Sequence, residues 1–215
     1  MYELYYAPGA CSMAIHAIIN EIGAPLKLHK IDIMAGEGQK PEFLKLNPRG
    51  QVPVLVDEGQ VIREGAAMAI YLIDKHSSPL LPPLDNKGAG KERAEALEWL
   101  MFANATLHPA YARVFFLMKN STDKAEMDKL FKVSLAMLNK LWAEVDAKLA
   151  QSPYITGKNI SAGDFLLTVI AGWGAYFPAA PTIGSNVKRL LKEVSSRPAF
   201  KKALEAEQVE YKAAA

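Results

Sequence analysis

The sequence has little of what marks secreted, membrane-bound or nucleic-acid-binding proteins. It contains one cysteine, Cys11, which excludes an internal disulfide. Lysine and arginine number 25 against 23 acidic residues, and no basic run is long enough to follow a phosphate backbone. No stretch reaches the roughly 18 apolar residues that a membrane-spanning helix requires. We therefore expect neither a nucleic-acid partner nor insertion into a membrane.

Signals for export and for metal binding are also missing. A strand pattern begins almost at Met1 and leaves no room for a signal peptide, and together with the single cysteine this favours a reducing cytosol. The four histidines are too scattered along the chain to suggest a metal cluster, so we expect no metal. Half of the residues are apolar, which is typical of a folded globular protein.

The first 76 residues alternate between strand and helix patterns. Ile15, Ile18 and Ile22 recur at helical spacing, whereas short apolar runs bounded by glycine or proline predict strands. In order, the predicted elements are a strand over 2–6, a helix from Ser12 to Gly23, a strand over 26–33, a short helix from Pro41, a hairpin over 52–62 around Glu58-Gly59, and a helix from about Glu64. The order is therefore βαβαββα, a mixed α/β domain over 1–77.

A proline-rich segment separates this domain from a helical remainder. Residues 78–87 include Pro79, Pro82 and Pro83 and are predicted to be a linker, because proline resists both helix and sheet. From 88 to 215 the apolar spacings are helical throughout, which predicts an all-α domain. The predicted helices cover 88–119, 123–150, 161–176, 187–195 and 199–209.

The helix predicted over 88–119 carries two stripes of residues at spacings of three and four. One stripe consists of Leu97, Met101, Asn104, His108, Tyr111 and Phe115, and the other of Leu100, Ala103, Leu107, Ala110 and Val114. We expect this helix to be buried on two sides and to lie between the two domains. Pro109 removes the hydrogen bond to the Ala105 carbonyl, so it should bend the helix beside a cleft.

Two positions at predicted helix starts are candidates for chemistry. Cys11 begins the first helix, where backbone amides favour an anion and lower the pKa of a thiol, so Cys11 is either a reactive thiolate or a group that stabilises one. The alternative is a buried structural cysteine. Glu64 begins another helix, where it either pairs with an amine of a ligand or simply benefits from the helix dipole.

Three segments resemble the cytosolic glutathione transferases, with the bacterial beta class closest. They are YYAPGACS at 5–12, NPRGQVPVL at 47–55 and REGAA at 63–67. The later segments ITG at 155–157 and SAGD at 161–164 resemble the capping box of the family's second domain, where Ser161 and Asp164 satisfy each other's amides. The resemblance implies a thioredoxin-like, glutathione-binding domain over 1–77 and a helical domain over 88–215 that shapes a pocket for a second substrate.

The resemblance also assigns roles to individual residues. The Val52 backbone, beside a cis Pro53, is expected to pair with the cysteinyl part of glutathione. The γ-glutamyl end is expected at Glu64 and the amides of Gly65 and Ala66, and Asn104 joins this glutathione-binding set. The implied catalytic residues are Cys11, His108, Ser12 and Tyr6. The sequence departs from close beta-class relatives at Met101, where they carry asparagine, and at Pro109, where they carry lysine.

The aromatic residues of the helical domain suggest walls for an apolar electrophile, although helical aromatics also serve as ordinary core. The candidates are Tyr111, Phe115, Trp173, Tyr176 and Phe177. The resemblance implies glutathione conjugation or thiol–disulfide exchange by a cytoplasmic homodimer, with glutathione as co-substrate and no bound cofactor. Alternatives are a non-catalytic glutathione-binding carrier or regulatory protein of the same fold, and a glutathione-dependent dehalogenase or isomerase.

Overall fold

The computed structural model describes residues 1–84 and 90–214. Its first part contains β1 (Tyr2–Tyr6), α1 (Ser12–Ile22), β2 (Leu26–Lys30), a 3-10 turn (Glu37–Gln39), α2 (Pro41–Leu46), β3 (Val54–Asp57), β4 (Gln60–Arg63) and α3 (Gly65–Lys75). The predicted order βαβαββα is confirmed. The end of the linker predicted over 78–87 and the start of the helix predicted over 88–119 lie outside the described residues.

The four strands form one mixed sheet in the order β2-β1-β3-β4. Strands β1 and β2 are parallel, whereas β3 is antiparallel to both β1 and β4. The β3–β4 turn places Glu58 and Gly59 at φ values of 49° and 84°, the left-handed conformation of a tight hairpin turn. The N-terminal part is therefore a thioredoxin-like α/β sheet with α1 and α3 packed together.

Strand β2 is shorter than the predicted 26–33. Its register pairs Lys30 with Tyr6, the last residue of β1, so no partner backbone remains beyond that point. Residues after Ile31 instead enter a turn in which the Asp32 carboxylate accepts from the Ala35 amide at 2.9 Å. As a result, Ile31 and Ile33 are free to line a cavity rather than a sheet.

The second part is helical. It contains α4 (Lys91–Met101), a π-helical segment (Phe102–Leu107), α5 (His108–Asn120), α6 (Lys124–Leu149), α7 (Ala162–Gly172), a 3-10 turn (Trp173–Tyr176), α8 (Ser185–Ser196) and α9 (Pro198–Glu207). Within 1–84 and 90–214, no helix is long and apolar enough to cross a bilayer.

The helix predicted over 88–119 departs from regular α-helical geometry over more residues than a bend at Pro109 would explain. A six-residue π-helical segment precedes His108, and Pro109, which has no backbone N–H to donate, lies in the first turn of α5. One stripe is fully buried: Leu100, Ala103, Leu107, Ala110 and Val114. The prediction that the other stripe is equally buried is wrong, because Met101 and Phe115 are more than one-third exposed and Asn104 and His108 face a cavity.

The capping box at the start of α7 is present as predicted. The Asp164 carboxylate is fully buried and accepts from the Ser161 amide at 2.7 Å and from the Ile155 amide at 2.9 Å. It therefore satisfies the helix start and also fixes the loop before it. This pair lies in the core of the helical part, in agreement with a structural role.

Candidate functional site

A cleft between the sheet and helices α4 and α5 contains two adjoining cavities. The inner cavity, of about 280 Å³, lies between α1, the loop before β3, the start of α3 and the π-helical segment. The outer cavity, of about 760 Å³, lies between the loop after β1, the turn after β2, α5 and the 3-10 turn. Both are lined by Cys11, Gln51, Val52, His108 and Ala112.

Cys11 lies where the two cavities meet, immediately before α1. Its sulfur is 3.8 Å from the Val52 carbonyl oxygen, to which the thiol donates a hydrogen bond. The side chain is partly exposed, so a molecule in either cavity reaches it. The interpretation of Cys11 as a purely buried structural cysteine is therefore not supported.

The pKa of Cys11 is shifted upward, whereas its position at a helix start predicts a downward shift. Burial of the thiol raises its pKa to about 11, although the backbone amides of Cys11 and Ser12 act in the lowering direction. The Glu64 carboxylate across the cleft raises the pKa further. Near pH 7 the thiol is therefore protonated and acts as a hydrogen-bond donor.

The predicted glutathione-binding residues converge on the inner cavity. The Val52–Pro53 peptide bond is cis, and both residues line the cavity together with Glu64, Gly65 and Asn104. Glu64 has a φ of 71° and precedes α3, whose first amides are oriented to bind an anion. Ala66, by contrast, is buried behind this surface.

Arg49 is a lining residue that the sequence reasoning missed. Its guanidinium pairs with the Glu64 carboxylate at 2.8 Å, and both side chains are more than half exposed at the mouth of the inner cavity. Arg49 lies within the NPRGQVPVL segment, so the motif contained the residue. Nothing in the sequence around Arg49 indicated that its side chain contacts Glu64, the residue before α3, fifteen positions later.

His108 is half-buried at the first turn of α5 and lines both cavities. Its ring contacts the Trp173 ring edge-on, with centroids 4.8 Å apart, and makes no hydrogen bond within the part of the chain that the structure describes. Burial lowers the pKa of His108 from its ordinary value, so the imidazole is neutral near pH 7. The ring nitrogens therefore remain available to a ligand.

Two of the four predicted catalytic residues lie away from the cleft. Ser12 is fully buried, and its hydroxyl accepts from the Ala7 amide at 3.3 Å and donates to the Ala7 carbonyl at 3.2 Å. Tyr6 is buried beside the ring of His16. Neither occurs among the described residues that line the two cavities. Consecutive residues on a helix point about 100° apart, so exposing Cys11 to the cleft turns Ser12 into the core.

The predicted aromatic pocket is divided between the cavity and the core. Phe115, Trp173 and Tyr176 line the outer cavity, and the Trp173 indole donates to the Gly9 carbonyl at 2.8 Å. Tyr111 is instead fully buried, with its hydroxyl accepting from the Trp142 indole at 2.8 Å. Phe177 is also buried and stacks on Tyr111.

The turn after β2 completes the outer cavity. It contributes Ile31 and Ile33, which were predicted to belong to the strand, and Met34.

Comparison with known proteins places these features beside glutathione S-transferases. The sequence model of the glutathione S-transferase N-terminal domain matches residues 1–74. Glutathione S-transferase GST-4.5 of Xanthomonas campestris is 32% identical over 171 residues, which cover 80% of this chain and 81% of that protein.

Solved structures give the same result over the whole length. The glutathione S-transferase from Xylella fastidiosa has a TM-score of 0.82 at 26% identity, covering 98% of this chain and 100% of that one. A sphingomonad glutathione S-transferase solved in complex with glutathione has a TM-score of 0.79 at 27% identity, covering 97% and 100%.

Proposed function

The chain belongs to the glutathione S-transferase family, and on that premise we propose that it transfers glutathione to small electrophiles or exchanges it with disulfides. Residues 1–77 act as the glutathione-binding domain, 78–87 as the linker, and 88–215 as the domain that shapes the second-substrate pocket. The observation that carries the proposal is that Cys11, Val52 and His108 line both cavities. A glutathione sulfur bound beside these residues lies where the two cavities meet, within reach of a molecule in either one.

Glutathione occupies the inner cavity in this proposal. Its cysteinyl backbone pairs with Val52, and its γ-glutamyl carboxylate accepts from the amides at the start of α3, while its amine pairs with Glu64. Asn104 reaches the same helix start, since its side-chain oxygen lies 3.8 Å from where a β-carbon on Gly65 would be. With its γ-glutamyl end at α3 and its cysteinyl backbone at Val52, glutathione points its thiol toward Cys11.

Cys11 then acts as a neutral donor to the glutathione sulfur rather than as the nucleophile. Its protonated state near pH 7 supports this role, because an S–H group stabilises a neighbouring thiolate without adding a second negative charge. The glutathione thiolate attacks the electrophilic carbon of a molecule in the outer cavity. Orientation of the two substrates supplies much of the rate.

The outer cavity favours an apolar or aromatic electrophile. Phe115, Trp173 and Ile33 supply apolar walls, and His108 supplies a neutral polar group at the junction with the inner cavity. Tyr176, which is 63% exposed, lies at the open side. Tyr111 and Phe177 contribute by supporting Trp173 and Phe115 from behind.

Disulfide exchange is the second candidate reaction, favoured by the access of a solvent-borne disulfide to Cys11. In this reaction the Cys11 thiol, which is protonated near pH 7, first loses its proton to solvent, and the resulting thiolate attacks the glutathione sulfur of a mixed disulfide and releases the other sulfur as a thiolate. A second glutathione thiolate then attacks the new disulfide, which forms glutathione disulfide and returns the Cys11 thiolate.

The experiment compares Cys11→Ala and Cys11→Ser with the wild type in a panel of aromatic halides, epoxides and glutathione mixed disulfides. Serine keeps an O–H donor, so we expect conjugation to be largely retained in Cys11→Ser and reduced in Cys11→Ala. Exchange should be lost in both variants, and unchanged exchange rules out the covalent role. Retention of the wild type on immobilised glutathione without turnover of any substrate would identify a binding protein instead.

We further propose that the protein is a beta-class, cytoplasmic homodimer that acts in detoxification. The sequence resemblance at 5–12 and 63–67 supports the class. Size-exclusion chromatography with light scattering tests the assembly, and a monomeric mass at working concentration would contradict the dimer.

A further inference from the structure

The loop that carries Cys11 is held from outside by two residues of the helical part. Gly9 lies two positions before Cys11, at a φ of 68°. Its amide donates to a Glu207 carboxylate oxygen at 3.0 Å, and its carbonyl accepts from the Trp173 indole at 2.8 Å. Both backbone polar groups of one loop residue are thus fixed by side chains more than 160 positions away along the chain.

Glu207 is a buried carboxylate at the end of α9. It is 3% exposed, and its second oxygen lies 2.9 Å from Nδ1 of His16, which is itself 2% exposed. His16 belongs to α1, the helix that Cys11 precedes. The carboxylate therefore connects the loop before Cys11 with the helix after it, and leaves neither of its oxygens unpaired.

This arrangement is more specific than packing of α9 on α1 requires. The two helices are also held by the Asn20 side chain, which donates to the Ala199 carbonyl at 3.2 Å, and by the Arg197–Glu21 ion pair. A buried carboxylate costs free energy unless it is fully paired, and its bond to His16 is the only one of its two bonds that joins α9 to α1. The additional property of a carboxylate here is that it bonds the Gly9 amide.

We propose that Glu207 is a positioning residue for the transfer reaction, which fixes Gly9 and thereby the location of the Cys11 thiol at the junction of the two cavities. The inference rests on the function proposed above. Glu207 touches neither cavity among the described lining residues, so it acts through the loop rather than on a substrate. Trp173 bonds the Gly9 carbonyl, so Glu207 and Trp173 together fix both backbone polar groups of Gly9.

The proposal predicts a separation of kcat from KM in Glu207→Ala. Glutathione is held by Val52 and the start of α3, which this substitution leaves in place, so KM for glutathione should change less than about threefold. Misplacing the sulfur donor should lower kcat roughly 10-fold or more, since a shift of about 1 Å at a reacting group costs on the order of 100-fold. Glu207→Gln keeps an acceptor for the Gly9 amide and should recover most of kcat.

Asn20→Ala and His16→Ala are the controls, because each removes an α1–α9 hydrogen bond and keeps the bond from the Gly9 amide to Glu207. A kcat loss in either control equal to that in Glu207→Ala, or no loss in Glu207→Ala, would overturn the proposal. Should Glu207→Ala not fold, Trp173→Phe removes the bond to the Gly9 carbonyl but also shrinks a wall of the outer cavity, so it is compared with Phe115→Ala, which opens the same cavity without touching Gly9. The proposal then predicts faster alkylation of Cys11 by iodoacetamide in Trp173→Phe than in Phe115→Ala, and an equal or slower rate refutes it.

The alkylation rate also separates this inference from the proposed function. It is measured without glutathione, so it reports the position and exposure of the Cys11 thiol even if the protein turns over no substrate. Faster alkylation in Glu207→Ala than in Asn20→Ala supports the positioning role independently of activity. Equal rates in the two variants would contradict it, whatever the outcome of the glutathione assays.

Discussion

The Cys11 sulfur lies 3.8 Å from the Val52 carbonyl oxygen, and the thiol donates to it. The same residue is the one proposed to pair with the glutathione backbone, so the thiol and the tripeptide meet at one short stretch of chain. Burial at this point keeps the thiol protonated. The reactivity of Cys11 and the binding of glutathione are therefore expected to be separable by pH and by substitution.

The first prediction concerns the pH dependence of Cys11 alkylation. Because burial raises the pKa of this thiol to about 11, the thiolate fraction and the rate with iodoacetamide should rise about tenfold per pH unit between pH 7 and 10 without a plateau. A short unstructured peptide with one cysteine, whose thiol has the ordinary pKa of about 8.5, should level off above about pH 9. A plateau for the protein below pH 8 would show that the thiol ionises easily and that the donor role is wrong.

The second prediction concerns Glu64. Glu64→Ala should weaken glutathione binding by about 10- to 100-fold in calorimetry, because a charge-assisted bond contributes roughly 1.5–3 kcal/mol. Glu58→Ala is the control, since Glu58 is another exposed glutamate with a positive φ but lies in the β3–β4 turn. The Arg49–Glu64 pair is exposed, so its loss should leave the free energy of unfolding nearly unchanged. Equal affinities of the two variants would refute the assignment.

The third prediction uses two neighbouring phenylalanines of α5. Phe115 lines the outer cavity, whereas Phe116 is 70% exposed and does not occur among the described lining residues. Phe115→Ala should raise KM for an aromatic electrophile roughly tenfold, since it removes apolar area from the bound substrate. Phe116→Ala should leave that KM unchanged. Steady-state kinetics at saturating glutathione measure both, and matching effects would mean that the electrophile binds elsewhere.

The fourth prediction concerns stability. Asp164→Ala leaves the buried Ser161 and Ile155 amides without acceptors, so it should lower the free energy of unfolding by about 2–4 kcal/mol. Asp123→Ala removes the exposed N-cap of α6 and should cost only about 1 kcal/mol. Urea denaturation followed by fluorescence measures both values. A smaller loss in Asp164→Ala than in Asp123→Ala would contradict the importance assigned to burial.

Local patterns were sufficient for the order of elements and for the capping box. The helix from Ser12 ends at Gly23 because its stripe and its terminating residue are adjacent in the sequence. The length of β2 depends on where β1 stops, which the local sequence of β2 does not contain. Helical periodicity also identified the inward side of α5, yet the same spacing describes a residue facing core, such as Tyr111, and one facing a cleft, such as His108.

The candidate site was predicted where motif residues contact the ligand cavity directly, as at Cys11, Val52 and Glu64. Ser12 and Tyr6 were included because they belong to the same motif, but their side chains point into the core. Glu207 was missed because its partners, Gly9 and His16, are almost the whole chain away. A contact of that kind has no signal in spacing or composition.

The five residues common to both cavities have a thermodynamic consequence. Any movement of Cys11, Val52 or His108 that accompanies occupation of one cavity alters the free energy of occupying the other. Linkage requires this effect to be reciprocal, so the factor by which the tripeptide changes the affinity for an electrophile equals the factor by which the electrophile changes the affinity for the tripeptide. Two cavities that share a wall are thus coupled to the extent that occupation of one of them moves that wall.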